Sequence, residues 1–139
     1  MRTRVILLVL GGALLGACSS DEPKPTERDA YGNYATTSDY NAMTRAQLVA
    51  AMDAGLADVD RRQAELEQRA QTLGKDAIEE LHDREPGLIE KRTKLVNELA
   101  ALKASLDTNW KSHRDDVVDA FDELRESLDK AYEEVLEES

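Results

Sequence analysis

Apolar residues recur at intervals of three and four residues between Val49 and Leu81. This spacing places them on one face of an α-helix, in a stripe as narrow as the seam of a coiled coil. The stripe consists of Val49, Met52, Leu56, Val59, Leu66, Ala70, Leu73, Ala77 and Leu81, and Gln63 interrupts it. Thr44 precedes the stripe with Gln47 three residues later, which predicts a capping box at the helix start. Gly74 is expected to weaken this helix by ~1 kcal/mol relative to alanine.

The segment from His82 to Gly87 is the strongest break in the pattern. Pro86 lacks a backbone donor and its ring clashes with the preceding turn, while Gly87 adds backbone freedom. We therefore predict that the first helix ends here and that a second begins with Pro86 in its first turn. Because the apolar stripe continues in phase from Leu81 to Leu88, a single kinked helix is the alternative.

An eleven-residue repeat follows the break. Its four trios are Leu95, Leu99 and Leu102; Leu106, Trp110 and His113; Val117, Phe121 and Leu124; and Leu128, Tyr132 and Val135. Eleven residues make close to three helical turns, so the trios stay on one face. The repeat predicts one long helix from Leu88 to about Leu136, despite the turn-like residues 107–109.

These patterns predict an all-α fold in which residues 44–139 form an antiparallel coiled-coil hairpin of two long amphipathic helices. A hairpin closing at residues 83–87 brings Leu66 beside Leu106, and the longer second helix extends about ten residues beyond the first. We expect self-association or partner docking on that helix. The predicted interaction face comprises Trp110, Phe121, Leu128, Tyr132 and Val135.

The first residues have the pattern of an export signal. A basic start with Arg2 and Arg4 precedes an apolar run of thirteen residues, which is too short to span a membrane. Leu15, Gly16, Ala17 and Cys18 then resemble a bacterial lipobox. The resemblance implies that residues 1–17 are removed as a signal peptide and that Cys18 is diacylglycerol-modified. An ordinary secretion signal with an incidental cysteine is the alternative.

Residues 18–43 are predicted to form the lipidated cysteine and a flexible tether. This segment contains Pro23, Pro25 and Gly32 and lacks large aliphatic residues before Met43, so it cannot build a core of its own. A chain of this length has an r.m.s. reach of roughly 25–30 Å. Its tyrosines are expected to be solvated, with a membrane or partner contact as the alternative; they are Tyr31, Tyr34 and Tyr40.

Charge and composition narrow the function classes. The 139 residues include 29 acidic and 18 basic side chains, a net charge of -11, which argues against binding of nucleic acid or anionic lipid through a basic surface. The single cysteine excludes an internal disulfide. Residues 115–139 contain 11 acidic and 2 basic side chains. We interpret them as a solvated acidic face, with docking of a basic partner or divalent cations as the alternative.

Few residues have the spacing that catalysis or metal binding requires. Glu79 and His82 form a Glu-x-x-His pair, as in di-iron bundles, but the second histidine, His113, has no acidic residue three positions earlier. His113 lies in the apolar stripe, where we expect a tolerated polar layer, with a pH-sensitive packing position as the alternative. We therefore predict a non-enzymatic protein without metal or cofactor.

The stretch Lys103-Ala104-Ser105 to Trp110 to Leu124, with acidic residues and single aromatics between, resembles bacterial apolipoprotein-like stress-response helical proteins. The resemblance covers residues 50–135 and implies long amphipathic helices and a link to envelope stress. Braun-type lipoproteins also combine a lipobox with a coiled coil, but they end in a lysine that joins peptidoglycan. This chain ends in Glu137, Glu138 and Ser139, so we do not expect that attachment.

The sequence therefore predicts a lipoprotein held by Cys18 on the periplasmic face of the outer membrane. Ser19 and Ser20 after the cysteine favour that membrane by resemblance to Gram-negative sorting rules; in a host without an outer membrane the anchor would be the cell membrane. We expect a structural or protein-interaction module in envelope maintenance or stress response. The alternative is an apolipoprotein-like binder of lipid or hydrophobic cargo.

Overall fold

The computed structural model describes residues 37–137, and all regular secondary structure within this range is α-helical. The helices are α1 (Thr37–Asn41), α2 (Arg45–Leu73), α3 (Lys75–Ala104) and α4 (Trp110–Glu137). The predicted all-α class is confirmed for this part of the chain. The leader, the lipobox residues Leu15, Gly16 and Ala17, the lipidation site Cys18, and Tyr31 and Tyr34 lie outside the described residues.

The three long helices form a bundle whose direction alternates along the chain. Ion pairs join Asp60 to Arg92 at 2.7 Å and Asp53 to Lys103 at 3.0 Å, so α3 runs antiparallel to α2. In the same way Lys94 pairs with Glu123 at 3.0 Å and Arg84 with Glu134 at 2.6 Å, so α4 runs antiparallel to α3. Consequently α2 and α4 lie parallel to each other.

The core is the shared apolar face of these helices. Its fully buried members include Leu48, Met52, Val59 and Leu66 of α2, Leu95 and Leu102 of α3, and Val117, Phe121, Leu124, Leu128 and Val135 of α4. The predicted α2 stripe is therefore largely internal, although Leu73 at its end is 43% exposed. The helices form where apolar residues spaced by three and four can be buried together.

The turn between α2 and α3 is the single residue Gly74. Its φ of 118° and ψ of -163° lie where a side chain would be strained, so glycine is the residue that permits this reversal. Gly74 N–H donates to Ala70 O at 3.1 Å, and Ile78 N–H donates to Gly74 O at 3.2 Å. The prediction of a two-helix hairpin closing at residues 83–87 is wrong, and so is the pairing of Leu66 with Leu106.

The segment around Pro86 does not end a helix, because α3 continues through it. Pro86 and Gly87 lie on the exposed side, whereas Leu81 and Leu88 on the opposite side are 5% and 2% exposed. The cost of an internal proline, ~3 kcal/mol, is offset by core packing on both sides of it. The alternative, a helix that continues through Pro86, is therefore correct for α3. Residues 37–137 as a whole are not a single kinked helix.

The second turn, residues 105–109, interrupts the eleven-residue repeat. Leu106 N–H donates to Asn109 Oδ1 at 2.8 Å, and Asn109 N–H donates to Leu106 O at 3.1 Å. Arg45 of α2 pairs with Asp107 at 2.7 Å, which ties the turn to the bundle. The prediction of one helix from Leu88 to Leu136 is therefore wrong: α3 ends at Ala104, before the second trio, and local side-chain hydrogen bonds stabilise the turn that follows.

The folded domain begins before the predicted boundary at residue 44. Tyr40 of α1 is 0% exposed, and its ring meets Phe121 edge to face with centroids 6.5 Å apart. The expectation of a solvated Tyr40 is therefore wrong, because its ring completes the core beside α4. The predicted capping box at the start of α2 is confirmed. Gln47 N–H donates to Thr44 Oγ1 at 3.2 Å, and Thr44 N–H donates to Gln47 Oε1 at 2.8 Å.

Gly55 allows a close approach between α2 and Phe121 of α4. A Cβ at this position would lie 2.7 Å from Cε2 and 2.8 Å from Cζ of Phe121. The ring therefore occupies the space that a side chain on α2 would need. Since Tyr40 lies against the same ring, the three residues Gly55, Phe121 and Tyr40 form one packing unit.

Candidate functional site

The predicted interaction face on α4 is mostly internal. Phe121, Leu128 and Val135 are each 0% exposed, while Trp110 and Tyr132 are partly buried against the core. The predicted overhang of the last helix is wrong, because α2 and α3 are as long as α4 and cover its apolar side along its length. These five residues therefore do not form an exposed face.

Tyr132 belongs to a polar cluster that joins α4 to α2. Arg62 is only 7% exposed, its Nη2 lies 2.7 Å from Asp129 Oδ1, and its guanidinium carbon lies 5.1 Å from the centre of the Tyr132 ring. The Tyr132 hydroxyl donates to Arg62 O at 2.6 Å. Burial, with a smaller effect of the Glu65 charge, raises the pKa of the Tyr132 hydroxyl.

The ion pair with Asp129 and the face of the Tyr132 ring compensate the buried charge of Arg62, and the hydrogen bond to its backbone carbonyl attaches Tyr132 to α2. A buried charge that loses its partner is costly, so the cluster fixes one register of α4 against α2. Its role is therefore structural. Sequence reasoning missed it because Arg62 is separated from Asp129 by more than sixty residues.

An apolar surface does exist, but it lies on α3. Ile78, Ile89 and Val96 are 45%, 59% and 38% exposed. Separations of eleven and seven residues are close to three and two helical turns, so these side chains share one face. We call it the α3 outer face. The spacing was present in the sequence, but the predicted break at Pro86 divided Ile78 from Ile89 and Val96.

The histidines lie apart from each other. His82 is exposed, with Nδ1 3.5 Å from Glu85 Oε2, and His113 is half-buried near the start of α4. Between residues 37 and 137, no group of three or more histidine, cysteine, aspartate or glutamate side chains is placed to hold a metal ion.

The acidic character of α4 is distributed along its exposed side. Acidic residues there form ion pairs with α3, as in the pairs of Glu123 with Lys94 and Glu134 with Arg84. Asp122 is partly buried, and this burial raises the pKa of its carboxyl despite the nearby Arg125. Part of the acidic excess on α4 is thus paired with basic side chains of the bundle.

None of the helices formed by residues 37–137 is long and apolar enough to cross a bilayer. Comparison of the chain with protein-family models, curated proteins and solved structures gives no match. The resemblance to apolipoprotein-like stress-response proteins therefore stays a prediction.

Proposed function

We propose that this protein is a lipoprotein of the bacterial envelope, anchored through Cys18, whose helical bundle binds another protein through the α3 outer face. The anchor is supported by the basic start, the apolar run and the lipobox-like residues 15–18. The periplasmic side of the outer membrane fits the serines after Cys18. A non-catalytic role in envelope maintenance or stress response fits the resemblance described above.

The observation that carries the binding role is the exposure of Ile89, 59%, and Val96, 38%, on a helix whose opposite face already fills the core. Large aliphatic side chains in a row on a surface mark sites of protein interaction more often than isolated ones do. Ion pairs of Asp60 with Arg92 and of Asp53 with Lys103 lie on the side of α3 that faces α2, and they give this face a polar rim.

The alternative, a binder of lipid or hydrophobic cargo, requires the apolar side of α4 to leave the core. Phe121, Leu128 and Val135 are fully buried, so the bundle would have to open before they could meet a ligand. The α3 outer face needs no such opening. Binding through the exposed face of the closed bundle is therefore the function we favour.

The anchor is tested by the intact mass and the membrane fractionation of the exported chain. We expect the mass of a chain that begins at Cys18 with attached acyl groups, whereas the Cys18→Ala protein should be unacylated and should keep its leader. A Cys18→Ala chain that lost its leader and still fractionated with membranes would contradict the lipoprotein assignment.

The binding surface is tested by photo-crosslinking in cells, with a reactive amino acid at position 89 and a matched control at exposed position 126 on α4. We expect a defined product from position 89 that is absent from position 126. The substitution Val96→Ser should weaken the product without changing the circular dichroism spectrum. Equal products from both positions would contradict a specific face on α3.

A further inference from the structure

The turn at Gly74 joins two long antiparallel helices through a single residue, since α2 ends at Leu73 and α3 begins at Lys75. The φ of 118° and ψ of -163° of Gly74 lie in a region of backbone space that is essentially restricted to glycine. Among the described residues, no side chain forms a hydrogen bond that caps the start of α3. The reversal of the chain at this end of the bundle therefore depends on one glycine.

The apolar stripe of α2 continues across this turn into α3. Its members there keep the spacing of one uninterrupted helix, three and four residues apart; they are Ala70, Leu73, Ala77 and Leu81. Leu73, next to the turn, is 43% exposed. Every other member of the stripe is buried or half-buried. The closed bundle thus leaves uncovered the stripe residue that lies at the reversal.

Straightening the chain at this turn would extend the helical hydrogen bonding. Gly74 N–H already donates to Ala70 O at 3.1 Å, and Ile78 N–H donates to Gly74 O at 3.2 Å, both at the spacing of an α-helix. A continuous helix would add the bonds from the N–H groups of residues 75–77 to the C=O groups of residues 71–73. It would also place the exposed stripe residue on the face that the helix buries.

A straightened chain separates its own α2 from α3 and α4, and a second copy can restore the lost contacts. The contacts of α2 with α3, such as the ion pair of Asp53 with Lys103 at 3.0 Å, would then form between two chains. The contacts of α3 with α4, such as the ion pair of Lys94 with Glu123 at 3.0 Å, would stay within one chain. Exchange of an identical element therefore requires no new interface except around the turn.

We infer that two copies of this chain exchange α1 and α2 through a hinge at Gly74, so that Arg45 to Ala104 form one helix in each copy. The partner is a second copy because an identical chain presents the surfaces of α3 and α4 that α2 already covers. Short, strained hinges favour such an exchange. The continuous helix is ~90 Å long, and because the two copies run antiparallel, their α1 helices lie at opposite ends of the dimer.

The exchanged dimer leaves the α3 outer face exposed, because α3 keeps the same neighbours as in the closed bundle. The inference therefore goes beyond the proposed binding of another protein and does not depend on it. Around the hinge, each Leu73 would be covered by the same segment of the other copy. The residues beside it, Ala70, Gly74 and Ala77, are small and permit close approach of the two helices.

The test refolds an equimolar mixture of full-length chains with the natural and the heavy isotope of nitrogen, at low and at high protein concentration. Carbodiimide then couples the ammonium of Lys103 to the carboxylate of Asp53, and mass spectrometry identifies the isotopes of the two joined peptides. We expect joined peptides that combine both isotopes, in a proportion that rises with concentration. The internal control is the coupling of Lys94 to Glu123, which should stay within one chain at every concentration.

Variants at the hinge should change this proportion in opposite directions. Gly74→Ala should increase the association constant by ~10³-fold over the two hinges, because alanine disfavours the turn and favours the continuous helix. Gly87→Ala, within α3, is the matched control and should leave the proportion at the wild-type level. Leu73→Ser should lower the proportion without changing the circular dichroism of the monomer, because Leu73 is exposed in the closed bundle and covered in the dimer.

Several results would overturn the exchange. One is an Asp53–Lys103 product of a single isotope in the wild type at high concentration, and another is mixed isotopes in the Lys94–Glu123 product as well. A folded Gly74→Ala chain with no more mixed product than wild type would contradict the hinge. If that variant does not fold, Leu73→Ser decides, and an unchanged proportion would then refute the packing at the hinge. The photo-crosslinking at position 89 is independent of these results, so the proposed function can stand or fall separately.

Discussion

Substitution of Gly55 by alanine tests the close packing of α2 against Phe121. In an open helix position alanine is favoured over glycine by ~1 kcal/mol, because glycine loses more backbone freedom on folding. At Gly55, however, the new Cβ would lie 2.7 Å from Cε2 of Phe121. The ring is fully buried and rests against Tyr40, so it cannot move aside without disturbing α1.

The expected magnitude follows from these two opposed effects. Overpacking of a core by one carbon costs ~1–3 kcal/mol, and the helix gain of ~1 kcal/mol offsets part of it. We therefore expect Gly55→Ala to change the free energy of unfolding by between zero and ~2 kcal/mol in the destabilising direction. For a domain of this size, 1 kcal/mol corresponds to a shift in Tm of about 4–8 °C.

Gly87→Ala is the matched control, because this glycine also lies within a helix but no neighbouring atom lies within 4 Å of the place that a Cβ would take. It should stabilise the protein by ~1 kcal/mol. Urea denaturation of both variants gives the comparison, and Phe121→Leu in the Gly55→Ala background should recover part of the loss. Equal stabilisation by the two alanines would refute the close contact of Gly55 with Phe121.

Three further predictions concern the Gly74 turn, α1 and α4. Gly74→Ala should lower the free energy of unfolding by ~1–2 kcal/mol, since its φ of 118° is strained for alanine; an unchanged urea midpoint would contradict the turn. Tyr40→Ala should destabilise by ~2–4 kcal/mol in thermal unfolding, whereas a solvated tyrosine would give no change. Burial raises the pKa of the Asp122 carboxyl above its ordinary value of 3.8. The ionised carboxylate therefore lowers stability at neutral pH, and this cost disappears at a pH below the ordinary pKa, where the carboxyl is protonated. Asp122→Asn should therefore raise Tm at pH 7 and have little effect near pH ~3; the opposite order would contradict the burial effect.

The helical class and the start of α2 could be predicted because their signals are local. Apolar spacing identified four of the eight buried residues of α2, and Thr44 with Gln47 identified the cap. The turns could not be located in this way, because Gly74 interrupts neither the spacing nor the polarity of the stripe. Leu73 and Ala77 remain four residues apart across it. A reversal at one glycine thus has the same pattern as a continuous helix.

The position of Pro86 led to the opposite error. Its local cost predicted a helix end, but the proline lies on the exposed side of α3, and Leu81 and Leu88 are buried on the other. Tertiary packing therefore outweighs a local penalty that sequence reasoning could estimate only in isolation. The interaction face was misplaced for the same reason: without the third helix, the apolar residues of α4 had no partner to cover them.

The packing of Tyr40 also determines how the domain would respond to mechanical load. A pull on the chain ahead of residue 37 reaches the bundle first through the Tyr40 ring, which rests on Phe121. If that ring is extracted, the residues from Thr37 to Thr44 can extend by up to ~25 Å before tension reaches the cap of α2. Helix α1 would then unfold first under load, and the three long helices would keep their mutual contacts while it unfolds.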